Sequence, residues 1–238
     1  MSTLDMAFHL NEMESNQALV VCLADRIASN LDDALQERGS ATLAVSGGST
    51  PKPLFERLSE YPLDWRSISV TQVDERWVDE SHEDSNALLI RRHLLRNAAA
   101  DAEFVSMKTS AASPFQAQAE VSSKLSAFRD GIDVVVLGMG EDGHTASFFP
   151  GAATLQRAMD PASDELCIPV KPPRAPHERM TFTLAALLRA RHLYLHITGE
   201  SKWQVFRKAT EPGGVGGQFR GFLAETEMFR GFFYASGD

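Results

Sequence analysis

Three times along the chain, a short apolar run empties into a polar turn. Thr42-Leu43-Ala44-Val45 runs into Ser46-Gly47-Gly48-Ser49-Thr50, residues 68–73 into Asp74-Glu75-Arg76, and Val134-Val135-Val136-Leu137 into Gly138-Met139-Gly140-Glu141-Asp142-Gly143-His144. Helical periodicities lie between these runs, and the alternation narrows the possible folds sharply. Parallel strands need long crossovers, usually helices that pack on the sheet, so the expected class is α/β: a mostly parallel sheet covered by helices on both faces. In such sheets ligands bind outside the C-terminal ends of the strands, so all three turns are expected to meet at one edge.

The helical segments have physical signatures. Leu19, Leu23, Ile27, Leu31 and Leu35 recur every four residues, and Gly39 follows where a helix would end. Pro51 and Pro53 suit the first turn of a helix through Leu58, Ser85 is placed to cap a helix carrying Leu88, Leu89, Leu94 and Leu95, and Ser113 to cap one over residues 114–128. Further helices are expected over residues 184–190 and 200–209, and further strands over residues 104–107, 166–170, 192–198 and 229–234. Lys171-Pro172-Pro173-Arg174-Ala175-Pro176 can be neither regular helix nor central strand. Residues 212–217, rich in glycine, are expected to form a flexible turn. No internal repeat or linker interrupts the chain, so residues 1–238 are read as one domain.

Charge and cysteine usage exclude several classes. With 23 basic against 32 acidic residues the formal charge is −9, which disfavours a nucleic-acid surface while permitting a local basic pocket. Cys22 and Cys167 sit in apolar surroundings and suggest neither a disulfide framework nor a thiol metal site. The first residues lack the pattern of a signal peptide, and no apolar run approaches membrane-spanning length, so the expectation is a cytoplasmic protein with no membrane partner.

Each turn offers particular chemistry. Ser46-Gly47-Gly48-Ser49-Thr50 supplies backbone N–H groups and three hydroxyls, an anion cradle suited to phosphate; without a Gly-Lys-Ser/Thr ending it is not a Walker loop. Gly138 to Gly143 formally fits G-x-G-x-x-G, but Glu141 and Asp142 would face a pyrophosphate with like charge, and Pro161 breaks the chain where a second strand should end. His144 in this turn is a candidate general base, with Asp142 either orienting it or shaping the turn. The other histidines form no ligand pattern, so no metal is expected. No Gly-x-Ser-x-Gly turn exposes a serine nucleophile. Arg76 is suited to a carboxylate or a developing oxyanion, and Arg179 and Lys202 can add positive charge to a phosphate pocket.

Taken together, Ser46 to Pro51, Asp74-Glu75-Arg76, Gly138 to Ser147, Phe149-Pro150-Gly151 and Gly199-Glu200-Ser201-Lys202 resemble the 6-phosphogluconolactonase family, in order and over most of the chain. The resemblance implies a Rossmann-like fold shared with glucosamine-6-phosphate deaminase, a phosphorylated sugar lactone as substrate, and no cofactor. By it, Ser46, Gly47, Gly48, Ser49, Thr50, Arg179 and Lys202 would hold a 6-phosphate, Asp74 would belong to the substrate site, and Arg76 would lie near the lactone carbonyl. His144 would activate water. A monomer or weak homodimer is expected. The deaminase pattern carries a glutamate before Pro-Gly as a proton relay, and this chain has Phe149 there, which favours the lactonase. Departures from the family pattern fall at Phe148, around residues 175–177 and in residues 222–238.

Overall fold

The computed structural model describes residues 9–210 and 229–234. In chain order the elements are β1 (His9–Glu12), α1 (Asn16–Arg38), β2 (Ala41–Val45), α2 (Lys52–Leu58), β3 (Ile68–Gln72), β4 (Asp74–Arg76), α3 (Asn86–His93), β5 (Glu103–Phe104), α4 (Pro114–Lys124), β6 (Val134–Leu137), α5 (Leu155–Ala158), β7 (Cys167–Val170), β8 (Arg179–Phe182), α6 (Leu184–Leu188), β9 (His192–Thr198), α7 (Glu200–Thr210) and β10 (Phe229–Tyr234). Seven strands form one sheet in the order β1-β10-β9-β6-β2-β3-β5, every pairing parallel. The expected fold class is present.

The helix α1 forms where the four-residue period predicts it. Leu19, Leu23, Ile27 and Leu31 are fully buried, each burial worth about 1.5–3 kcal/mol. The Ser15 hydroxyl accepts the Ala18 N–H at 3.1 Å, and Gly39, at φ 73°, donates its N–H to the Leu35 carbonyl at 2.8 Å. The central strands of the sheet are buried on both faces, as parallel strands require. Leu43, Val45, Val134, Val136 and Tyr194 pack on the side of α1, α2 and α3. Ala44, Val135, Leu137, Leu193, Leu195 and Ile197 pack on the side of α4 and α6.

Two neighbouring strands position the site. From β2 the chain moves outward to β3, whereas β6 lies on the other flank of β2 and leads to β9. The order therefore reverses between β2 and β6, and the turns after these two strands leave the sheet side by side at its switch point.

One expected turn is a strand. Asp74–Arg76 is β4, in a separate antiparallel sheet ordered β4-β8-β7. Val73 makes the transfer: its N–H donates to the Val45 carbonyl of the large sheet at 2.9 Å, while its carbonyl accepts the Phe182 N–H of the small one at 3.0 Å. The helix expected over residues 114–128 ends at Lys124 and continues as a short 3-10 turn over Ser126–Phe128. The strand expected over residues 104–107 pairs only through Phe104, because the Met107 N–H turns to the Gln72 side-chain carbonyl at 3.1 Å. Residues 212–217 lie outside the described residues. Among the described residues, no helix is long and apolar enough to cross a membrane.

Candidate active site

The turn after β2 is fastened from both ends. The Ser46 N–H donates to the Val136 carbonyl of β6 at 2.9 Å, and Gly48 takes φ 98°, a conformation that favours glycine. A Cβ on Gly47 would lie 1.8 Å from Asn86 Oδ1, so no other residue fits without displacing that buried side chain. The Ser46 hydroxyl is buried without a hydrogen-bond partner. Lys202, in the first turn of α7, donates from Nζ to Thr50 Oγ1 at 3.1 Å. Burial pushes the Lys202 ammonium below its ordinary range, opposed by the charge of Glu141.

The turn after β6 closes on itself. The Gly140 N–H donates to the His144 carbonyl at 2.8 Å, and the Gly143 N–H to the Gly140 carbonyl at 3.0 Å. His144 Nδ1 hydrogen-bonds Asp142 Oδ1. Partial burial works to raise the Asp142 carboxyl, but the hydrogen bond and charge of His144 outweigh it and hold the group below the usual carboxylate range. An ionised Asp142 accepts the Nδ1 proton, which leaves Nε2 as the ring's acceptor. The next residues hold the turn against the small sheet: Ala146 sits at φ 48°, a costly conformation for a residue with a Cβ, and the Ser147 hydroxyl donates to Asp74 Oδ2 at 2.6 Å. The His144 ring lies 4.3 Å from the Phe149 ring, centroid to centroid, tilted by 33°.

Two arginines come from the small sheet. Arg76 on β4 and Arg179 on β8 are directly opposite across the antiparallel ladder, so their side chains share a face. Arg76 Nη1 donates to the Asp84 carbonyl at 2.6 Å. Arg179 is only 7% exposed, its Nε and Nη1 have no hydrogen-bond partner, and it has no ion pair among the described residues. Burial lowers its pKa, and the largest opposing influence is the negative charge of Asp74. Its guanidinium lies 5.7 Å from the Phe149 ring centroid.

Glu75, between Asp74 and Arg76, is completely buried. It accepts the backbone N–H groups of Arg76, Asn86 and Ala87 at 2.7–2.8 Å, pinning β4 to the start of α3. Burial pushes its carboxyl up, against those three hydrogen bonds.

These groups surround a cavity of about 1030 Å³. All of the residues singled out in the sequence line it: His144, Asp142, Arg76, Ser46, Gly47, Gly48, Ser49, Thr50, Asp74, Arg179 and Lys202. Pro173, Arg174 and Ala175 of the proline-rich segment form part of its wall. Among the described residues, no group of three or more His, Cys, Asp and Glu side chains is arranged to hold a metal ion.

Two wall residues were not anticipated. Asn86 follows a helix-capping serine and reads in the sequence as an ordinary first-turn residue, yet its Nδ2 holds the Asp74 carbonyl at 2.7 Å while its Oδ1 rests against Gly47 without a partner. His196 reads as one histidine among seven. In the fold it is 2% exposed, both ring nitrogens are unpartnered, and burial, reinforced by the Lys202 charge, pushes its pKa down to about 4. A histidine inside an apolar strand, three residues before a glycine turn, is the available sequence signal.

Comparison with known proteins places this cavity in a family. The family described as glucosamine-6-phosphate isomerases/6-phosphogluconolactonase matches residues 14–217. The chain belongs to this family. A 6-phosphogluconolactonase of Pseudomonas aeruginosa is 49% identical over 180 residues, 76% of each chain. Another, of Mesorhizobium japonicum, is 45% identical over 207 residues, 87% of each. The crystal structure of a 6-phosphogluconolactonase from Shewanella baltica superposes with a TM-score of 0.91 at 40% identity, covering 96% of this chain and 98% of that one.

Proposed function

We propose that the chain hydrolyses 6-phospho-D-glucono-1,5-lactone to 6-phosphogluconate, the lactone-opening step of the oxidative pentose phosphate pathway. The observation that carries this reading is one cavity holding both a carboxylate-oriented imidazole and a buried, unpaired guanidinium. A base and a vacant cation in one enclosure suit attack by water on a carbonyl whose oxygen becomes negative.

In this mechanism His144 Nε2 takes a proton from water as the oxygen attacks C1 of the lactone. Asp142 keeps the ring in the needed tautomer and stabilises the imidazolium that forms. The tetrahedral intermediate places negative charge on the former carbonyl oxygen. Its collapse breaks the bond from C1 to the ring oxygen, which receives the proton from the imidazolium and becomes a hydroxyl. The turn after β2, with Lys202, binds the phosphate end, and that remote binding energy is spent on orienting C1. Asp74 and Arg76 complete the substrate site at the small-sheet wall. No cofactor is required, because the lactone is an activated acyl group.

Phe149 supports this chemistry over deamination. It lies in tilted contact with His144 at the position where the deaminase pattern carries a glutamate relay, and an aromatic ring cannot move a proton. The test is proton release from freshly generated phosphogluconolactone, corrected for spontaneous hydrolysis. His144→Ala is expected to lower turnover by roughly 10²–10⁴-fold while retaining affinity for 6-phosphogluconate. Binding without acceleration in the native protein, or full turnover in the variant, contradicts the mechanism, and ammonia release from glucosamine 6-phosphate would indicate a deaminase.

A further inference from the structure

Apart from Arg174, which is exposed on the wall, the cations that line the cavity come from two parts of the fold. Lys202 belongs to the turn after β2: it donates to Thr50 Oγ1, and its charge acts on Glu141 and His196. Arg179 belongs to the small sheet. It stands opposite Arg76 on the β4–β8 ladder, and Asp74, Arg76, Glu75 and Asp84 lead the charges that act on it. Arg179 also lies against Phe149, whose ring is in tilted contact with His144, so a series of contacts runs from guanidinium to phenyl to imidazole.

A single phosphate is a compact ligand, and a cradle of hydroxyls, backbone N–H groups and Lys202 already answers its charge. Arg179, buried with no hydrogen-bond or ion-pair acceptor on Nε and Nη1 among the described residues, lies against Phe149, the ring that contacts His144. We propose that Arg179 acts at the reacting end of the substrate, donating to the oxygen that becomes negative at C1, and is not a ligand of the 6-phosphate. Arg76, its ladder neighbour, is anchored to the Asp84 carbonyl, whereas Arg179 Nε and Nη1 have no acceptor. The oxyanion supplies the acceptor that Nε and Nη1 lack. A buried charge without a partner interacts more strongly with a charge appearing in the transition state than with the neutral ground-state carbonyl, which is the condition for accelerating a chemical step. This inference rests on the lactonase reading.

The experiment separates the two ends of the substrate. Inorganic phosphate, as a competitive inhibitor, probes the phosphate end alone, and turnover of phosphogluconolactone probes the reacting end. Arg179→Gln is expected to lower kcat by roughly 10²–10³-fold, as for loss of an oxyanion donor, while the inhibition constant of phosphate changes by less than about threefold. Lys202→Gln is expected to weaken phosphate inhibition by roughly 10- to 100-fold, the effect of losing one charge-assisted hydrogen bond. Arg179→Lys, which keeps the charge without the planar fork, should recover part of the lost turnover. The proposal is overturned if Arg179→Gln weakens phosphate inhibition tenfold or more, or leaves kcat within about threefold of the native value. Circular dichroism of each variant distinguishes these outcomes from unfolding. Absence of any acceleration by the native enzyme sinks the lactonase reading itself, whereas a failure confined to the Arg179 variants sinks only the present assignment.

Discussion

His196 should make the stability of this protein depend on pH in a calculable way. Its ring is 2% exposed, neither nitrogen has a partner, and its pKa is about 4 against an ordinary 6.5. Burial is the larger cause, because a charged imidazole loses its hydration there; the positive charge of Lys202 adds to it. The folded pKa is depressed, so between pH 6.5 and 4 the unfolded chain binds a proton that the folded chain refuses. Stability is therefore fully present above pH 6.5 and is lost as pH falls toward 4. A gap of about 2.5 units at 1.36 kcal/mol per unit corresponds to ~3 kcal/mol. Carboxylates titrate over the same range, so the informative quantity is the difference between native protein and His196→Leu in urea unfolding at successive pH values. From pH 7 to pH 4 that difference should move by ~3 kcal/mol in favour of the variant, with no further slope above pH 7. Parallel profiles would show that the folded protein accepts the proton on His196, and the burial reasoning would fail.

Other substitutions test the packing of the site. Arg179→Met removes a buried, unpaired charge and should raise the free energy of unfolding by about 1–3 kcal/mol even as activity falls; a less stable variant refutes the view that this guanidinium is held at a cost. Gly47→Ala drives a Cβ into Asn86 and should destabilise by about 1–3 kcal/mol, with Asn86→Ala in the same chain restoring part of the loss; additive effects of the two changes would contradict the contact. Gly140→Ala places a Cβ 2.4 Å from His144 Cε1. Displacing the imidazole should cost about 10²-fold in kcat with the fold retained, and native turnover would show that the ring moves freely.

The parts of the site legible in the sequence are those where one local signal has one structural outcome. A run of four or five apolar, largely β-branched residues that ends in Gly-Gly or Gly-Met-Gly is too short for a helix and reads as a strand leaving a sheet, so the turns carrying Ser46 and His144 could be located, and strand–helix alternation put them on one edge. The passage from β3 to β4 carries no such signal. Residues 68–76 are continuous in sequence, and the transfer at Val73 depends on β8, more than a hundred residues later. The strand β8 itself was not anticipated, because four residues beginning with arginine after a proline-rich stretch are too short to show a period. The same holds for β1, an edge strand of four residues, and for α5, a single turn. Asn86 and His196 were missed for a related reason: their importance lies in what they touch, and Gly47 and Lys202 are their neighbours only in the folded chain.

The pairing of Arg76 with Arg179 has a consequence for how folding quality can be observed. Strand residues alternate faces, so a slip of one residue in the β4–β8 ladder would turn one arginine away from the cavity, and a slip of β8 would also exchange the buried Met180 and Phe182 for Arg179 and Thr181. Catalytic competence would be lost with the arginine, so active-site titration would count the correctly registered molecules in a preparation.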